Sequence, residues 1–310
     1  MPDIIHVTSG DVIAERLRDA GLPGRVAAGV DALHEGPAPG GVDGADWRAL
    51  RADFVAARGW ATRESALARL IELDEAVTHA GAEDEVVLWF EHDLHCQLML
   101  VRLLDRLTRA APRAVSLVGT GCFLSQADVA ALFEGRSSLT PAAVAAARDA
   151  WAAFTSPAPA ALAAVVARDT GALPYLAPAL RRHLQQFPAA ANGLARTEHA
   201  ILTALTGGAR PRRSLFEVAQ AAEETPYMGD VIFWDYLEGL SRGAAPLVVE
   251  DGDGARLTAR GRDVLEGRAD AIGLRGIDRW LGGVHLTSPP APRATPVWRW
   301  SAATRTLVRE

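Results

Sequence analysis

A chain of 310 residues is long for one hydrophobic core and suits two or three domains. Its 49% hydrophobic and 23% charged residues are those of an ordinary folded soluble protein, and a net charge of -6 argues against a general polyanion binder. Two cysteines, Cys96 and Cys122, are too few for a disulfide framework or a cysteine zinc module and fit a reducing cytoplasm, while the absence of a long apolar run excludes a membrane span.

The chain starts directly into a short apolar strand, Ile4 to Val7, with no secretory signal pattern. Thr8, Ser9, Gly10 and Asp11 follow, then a helix with Val12, Ile13, Leu17 and Ala20 on its apolar face. Thr8, Ser9 and Asp11 can cap that helix, and Gly10 lets the backbone turn so that its free N–H groups could cradle a phosphate or carboxylate. A second strand over 25–30 ends in Asp31-Ala-Leu-His-Glu-Gly-Pro37, which again places acids and a histidine after a strand. Helices are expected over 46–58 and 62–79.

The next stretch concentrates the chemistry. Val86 to Phe90 are five apolar residues without alternation, the pattern of a strand covered on both faces and therefore central in a parallel sheet. From Leu94 the apolar residues fall at helical spacing through Leu98, Val101 and Leu104, so Glu91, His92 and Asp93 occupy the strand-to-helix turn. A fourth strand, 114–118, ends in Gly119-Thr-Gly-Cys122. Ligands bind at the carboxyl ends of such strands. Ser9, Asp11, Asp31, His34, Glu35, Glu91, His92, Asp93 and Thr120 should thus share one rim.

The motifs Ile5-His-Val-Thr-Ser-Gly-Asp11, Asp31-Ala-Leu-His-Glu-Gly-Pro37 and Leu88-Trp-Phe-Glu-His-Asp-Leu94 with Gln97 together resemble the bacterial domain of unknown function 1835. The resemblance covers about the first 120 residues and extends less sharply to Gly193–Glu198 and Gly229–Trp234. It implies the α/β fold and the motif boundaries, and it brings no established reaction.

Residues 123–190 read as alanine-rich helices without a catalytic signature. Residues 191–310 read as three helices and a hairpin around Asp251-Gly-Asp-Gly254, a winged-helix-like module, followed by two short strands carrying Trp280, Trp298 and Trp300 with Arg299 beside them. The third helix of that module contains Asp230, Asp235 and Glu238 beside Phe233, Trp234 and Tyr236, which disfavours nucleic acid and favours packing. Only Arg210 to Arg213 supports the DNA-binding alternative.

The expected architecture is therefore a small parallel α/β sheet with flanking helices over 1–122, a helical region over 123–190 and a winged-helix-like α+β module over 191–310. All 32 basic residues are arginine, so lysine-dependent cofactors such as pyridoxal phosphate, and the lysines of phosphate-binding loops, are excluded. The candidate catalytic residues are Glu91, His92, Asp93, His34 and Glu35, working as a carboxylic acid beside an imidazole. Thr8, Ser9, Gly10, Asp11 and Gln97 are the candidate ligand-binding residues. The expected chemistry is a hydrolase or transferase acting on a nucleotide-like or phosphorylated small molecule in the cytoplasm; the alternative is a ligand-sensing regulator. A divalent metal held by His92 and His95 with His34 or Asp11 is a competing use of these side chains, although the spacing matches no zinc motif. Cys96 reads as core. A homo-oligomer is compatible with the sequence.

Overall fold

In a computed structural model, residues 3–82, 84–119, 126–168, 170–252 and 254–310 are described. The expected loop residues Thr120 and Cys122 fall outside them. The N-terminal sheet contains β1 (Ile4–Thr8), β2 (Arg25–Ala28), β4 (Glu85–Phe90), β5 (Ala114–Gly119) and β6 (Ser137–Ser138), in spatial order β2-β1-β4-β5-β6. The first four are parallel, as their apolar runs require, and the two-residue β6 adds an antiparallel edge that no sequence pattern announced.

Both faces of this sheet are covered, which explains why β4 is buried throughout. Val86, Leu88 and Phe90 point to one face and pack with α4 (Leu94–Ala110) and with Leu73, Ala76 and Val77 of α3 (Arg63–Thr78). Val87 and Trp89 point to the other and meet Ile13 and Leu17 of α1 (Asp11–Asp19), with Val129 and Phe133 of α5 (Gln126–Glu134). The loop after β2 contributes β3 (Gly36–Pro37) and leads into α2 (Gly44–Ala57).

The helical region consists of α6 (Pro141–Phe154), α7 (Ala160–Val166) and α8 (Leu176–Leu184), and it packs against the same core as α4. A separate core gathers around α9 (Arg196–Ala204), α10 (Arg212–Ala221), α11 (Asp230–Ser241), the hairpin of β7 (Val248–Asp251) and β8 (Gly254–Leu257), and α12 (Ala259–Leu265). This is the expected three-helix and hairpin arrangement. Phe233 and Leu237 are buried, whereas Trp234 is only half-buried.

After α13 (Ala271–Arg275), the tail departs from expectation. The anticipated pair of strands is two hairpins, β9 (Ile277–Gly282) with β10 (Val284–Ser288), and β11 (Trp298–Ser301) with β12 (Thr306–Arg309). Gly282, at φ 61°, makes the first reversal, and a Cβ there would press on the Phe154 carbonyl. The tryptophans do not stack around Arg299: Trp280 stacks on His285, and Arg299 pairs with Asp270 at 2.6 Å. β9 also runs parallel to β3, so the last strands clamp the loop that follows β2. Among the described residues, no helix is long and apolar enough to cross a membrane.

Candidate functional site

The sheet order creates the site. From β1 the chain crosses through α1 to β2 on one side, and from β4 it crosses through α4 to β5 on the other. The order therefore reverses between β1 and β4, the switch point beyond whose carboxyl ends such sheets carry a ligand crevice. Thr8 pairs with Trp89, so the two chains leave the sheet side by side and bring the turn at Ser9 and Gly10 next to Glu91, His92 and Asp93.

Hydrogen bonds fix this junction. Asp93 caps α4, its Oδ1 accepting from the Cys96 N–H at 3.0 Å. Gln97 Nε2 donates to the Glu91 carbonyl at 2.9 Å, and His95 Nε2 lies 3.1 Å from the Ser9 carbonyl. A carboxylate oxygen from each of Glu91 and Asp93 lies within 4.8 Å of the other and of Cys96 Sγ. The Cys96 thiol also bonds to Ser9, so residues from both strand ends meet at one point.

Burial and the neighbouring Asp93 carboxylate push the Glu91 carboxyl up to about 7. Two carboxyls this close do not readily ionise together, and the Asp93 side chain is held in place as the helix cap. Burial also raises the Cys96 thiol, with Asp93 adding to the effect, so Cys96 is a neutral thiol and no nucleophile. His92 stacks on Tyr175, with ring centroids 3.4 Å apart and planes 15° from parallel, and burial lowers its pKa. His92 and Asp93 border a cavity of about 190 Å³ that Arg181, Arg182 and Arg196 also line.

Other expected members do not join. The Asp11 carboxylate turns outward to Arg69, with a bond of 2.9 Å, and is unavailable to a ligand beside Ser9. The Thr8 hydroxyl is engaged in the turn, donating to the Gly10 carbonyl at 2.8 Å. Asp31 accepts from Arg51 Nε at 2.9 Å inside the core. Glu35 is buried and receives the Tyr236 hydroxyl, so it ties the loop after β2 to α11 instead of facing the crevice. His34 is buried behind His95, their ring centroids 5.7 Å apart, and burial holds its pKa well below the usual histidine value. It meets His95 edge-on without a hydrogen bond, and both its ring nitrogens are buried without a partner among the described residues.

The same geometry changes the metal expectation. Among the described residues, the group with metal-ligand spacing is Glu91, Asp93 and Cys96, without His92, His95, His34 or Asp11. A divalent cation there would have to displace the thiol proton that burial retains. Tyr175 and the arginines of α8 were not legible as neighbours of the turn, because their approach depends on how the helical region packs. Neither protein-family models nor curated proteins match this chain.

Proposed function

We propose that the chain is a small-molecule enzyme, a hydrolase or transferase, that works on a nucleotide-like or other phosphorylated substrate at the β1/β4 crevice. The observation that carries this reading is the Glu91–Asp93 carboxyl pair at the carboxyl end of the central strand, together with Cys96 and Ser9. Glu91, with a pKa near 7, exists in both protonation states at neutral pH and can give or take a proton without a large penalty. Asp93 keeps that proton on Glu91 and holds the turn. The first turn of α1 has no side-chain cap, leaving backbone N–H groups for an anionic substrate group beside Ser9 and Gly10. The resemblance of the three N-terminal motifs to the domain of unknown function 1835 accords with one site built from strand ends, but names no reaction.

The test is a titration of the full chain with a panel of nucleotides and sugar phosphates, comparing the natural protein with Glu91→Gln and His92→Ala. Binding or turnover lost in both variants, with unchanged melting, supports the reading; unchanged binding with lowered melting would make the turn purely structural.

A ligand-sensing regulator is the second reading, favoured by the bond between Glu35 and Tyr236, which connects the strand-end domain to the winged-helix-like unit. Sequence-specific retardation of DNA at physiological salt would select it.

A further inference from the structure

We propose that the cavity between the Gly40–Gly41 turn and the C-terminal half of α4 is a second binding site, for a small molecule carrying a phosphate or pyrophosphate group. The cavity holds about 410 Å³, the size of an ordinary ligand pocket, and Arg102, Arg106, Arg109, Asp43, Trp47 and Trp151 border it. It is separate from the crevice, since Arg106 lies about 20 Å along α4 from Asp93 at the helical rise per residue.

Charge is the first argument. One buried carboxylate, Asp74, serves three guanidiniums: Arg48 at 2.9 Å, Arg102 at 3.4 Å and Arg106 at 3.4 Å. Arg102 is only 2% exposed, so this positive excess is not screened by water. Beyond Asp74, Arg106 and Arg109 share Asp43, whose side chain is about half exposed and bonds to Arg106 at 3.0 Å. Asp105, which also lines the cavity, lies 3.6 Å from Arg109, so four arginines (Arg48, Arg102, Arg106 and Arg109) face three carboxylates. Asp43 thus sits where an incoming oxyanion would find two guanidinium forks already oriented.

Unmet hydrogen bonds are the second argument. Three residues that line the cavity have buried N–H groups without an acceptor among the described residues: Arg102 Nη1, Arg106 Nε and Trp47 Nε1. Buried donors are normally paired, and these three, two of them charged, lie closed off within the cavity wall, so an acceptor-rich ligand would satisfy them only as the Arg102 and Arg106 side chains turn toward it. Trp47 and Trp151, with ring centroids 5.5 Å apart, supply an apolar wall for the remainder of the molecule. Gly41, at φ 81°, leaves the facing backbone open, since a Cβ there would meet nothing within 4 Å.

The test is isothermal titration calorimetry on the full chain with pyrophosphate and inorganic phosphate as probes and acetate as a control. Pyrophosphate should bind, and Arg106→Gln and Arg109→Gln should each weaken it by about tenfold, the loss of one charge-assisted contact. Asp43→Asn should tighten binding, because it removes the competing carboxylate while asparagine still caps α2. Binding should persist in Glu91→Gln, which separates this site from the crevice. Melting curves establish that each variant is folded. No heat with pyrophosphate, equal binding of acetate, or an affinity that follows Glu91→Gln and ignores both arginine variants would overturn the proposal.

Discussion

Tyr236, in the third helix of the winged-helix-like unit, donates its hydroxyl to Glu35, which lies 201 residues earlier in the loop after β2. Both side chains are buried, and Gln186 Nε2 donates to the same hydroxyl oxygen at 2.8 Å. Tyr236→Phe removes the hydroxyl and leaves Glu35 and Gln186 without it. The expected cost is about 1–3 kcal/mol of stability, read from denaturant midpoints of the two proteins. A loss below the error of the measurement would mean that this bond does not hold the two units together.

Proton binding gives stability a defined pH dependence. Burial raises the pKa of Glu35 above the ordinary glutamate value of 4.5, and burial with Asp93 raises Glu91 to about 7. Each group holds its proton more tightly folded than unfolded, so its contribution is full below pH 4.5 and is lost as pH rises through the folded value. For Glu91 that window runs from 4.5 to about 7. Denaturant midpoints measured from pH 4 to pH 8 should fall across it, and Glu91→Gln should flatten the slope, since glutamine cannot ionise. Asp93→Asn should lower the Glu91 pKa, which carboxyl-resolved nuclear magnetic resonance would report directly. A Glu91 midpoint unmoved by Asp93→Asn would separate the two carboxyls.

The sheet was legible in the sequence because its strands are covered on both faces. Val86 to Phe90 have no alternation to confuse with another structure, and Leu94, Leu98, Val101 and Leu104 repeat at the helical period immediately afterwards. The turn between them, Glu91 to Asp93, follows from those two signals alone. Asp31, His34 and Glu35 were legible as a motif but not in their roles. Their partners, Arg51, His95 and Tyr236, lie 20, 61 and 201 positions away, and no local spacing encodes a buried ion pair or a docking bond at such separations. The arginine cavity has no sequence signal for a related reason: Arg102, Arg106 and Arg109 become one wall only when α6 and the loop before α2 close beside them.

Asp31 and Arg51 provide a sharper test of the structural role of that motif. Arg51 is fully buried, with its Nε 2.9 Å from Asp31 and its Nη1 2.9 Å from the Glu35 carbonyl and 3.0 Å from that of Pro37. One side chain thus organises the whole loop. Arg51→Met should cost about 3–5 kcal/mol, because it leaves the Asp31 carboxylate buried and unpaired. The double variant with Asp31→Asn should recover part of this loss. Chemical denaturation of four proteins, the natural chain, Arg51→Met, Asp31→Asn and the double variant, gives the coupling between them, and strict additivity would show that the pair is not a unit.

The last prediction concerns α11, the position from which a winged helix would read DNA. Its faces are already engaged: Phe233, Leu237 and Leu240 enter the core of the unit, while Asp235 accepts from Trp60 Nε1 at 2.9 Å and Tyr236 reaches Glu35. What is left toward solvent includes Asp230 and Val231, a surface that repels phosphates instead of pairing with them. Phe233→Ala should therefore cost about 3–5 kcal/mol, as expected when a buried aromatic ring is removed from a packed core. Val231→Ala, at a position 50% exposed on the same helix, should change stability by less than about 0.5 kcal/mol. Neither variant should alter migration of DNA fragments incubated with the full chain. If Phe233→Ala melted like the natural protein while Val231→Ala abolished a DNA complex, the helix would be a reading element and its packing role would be lost.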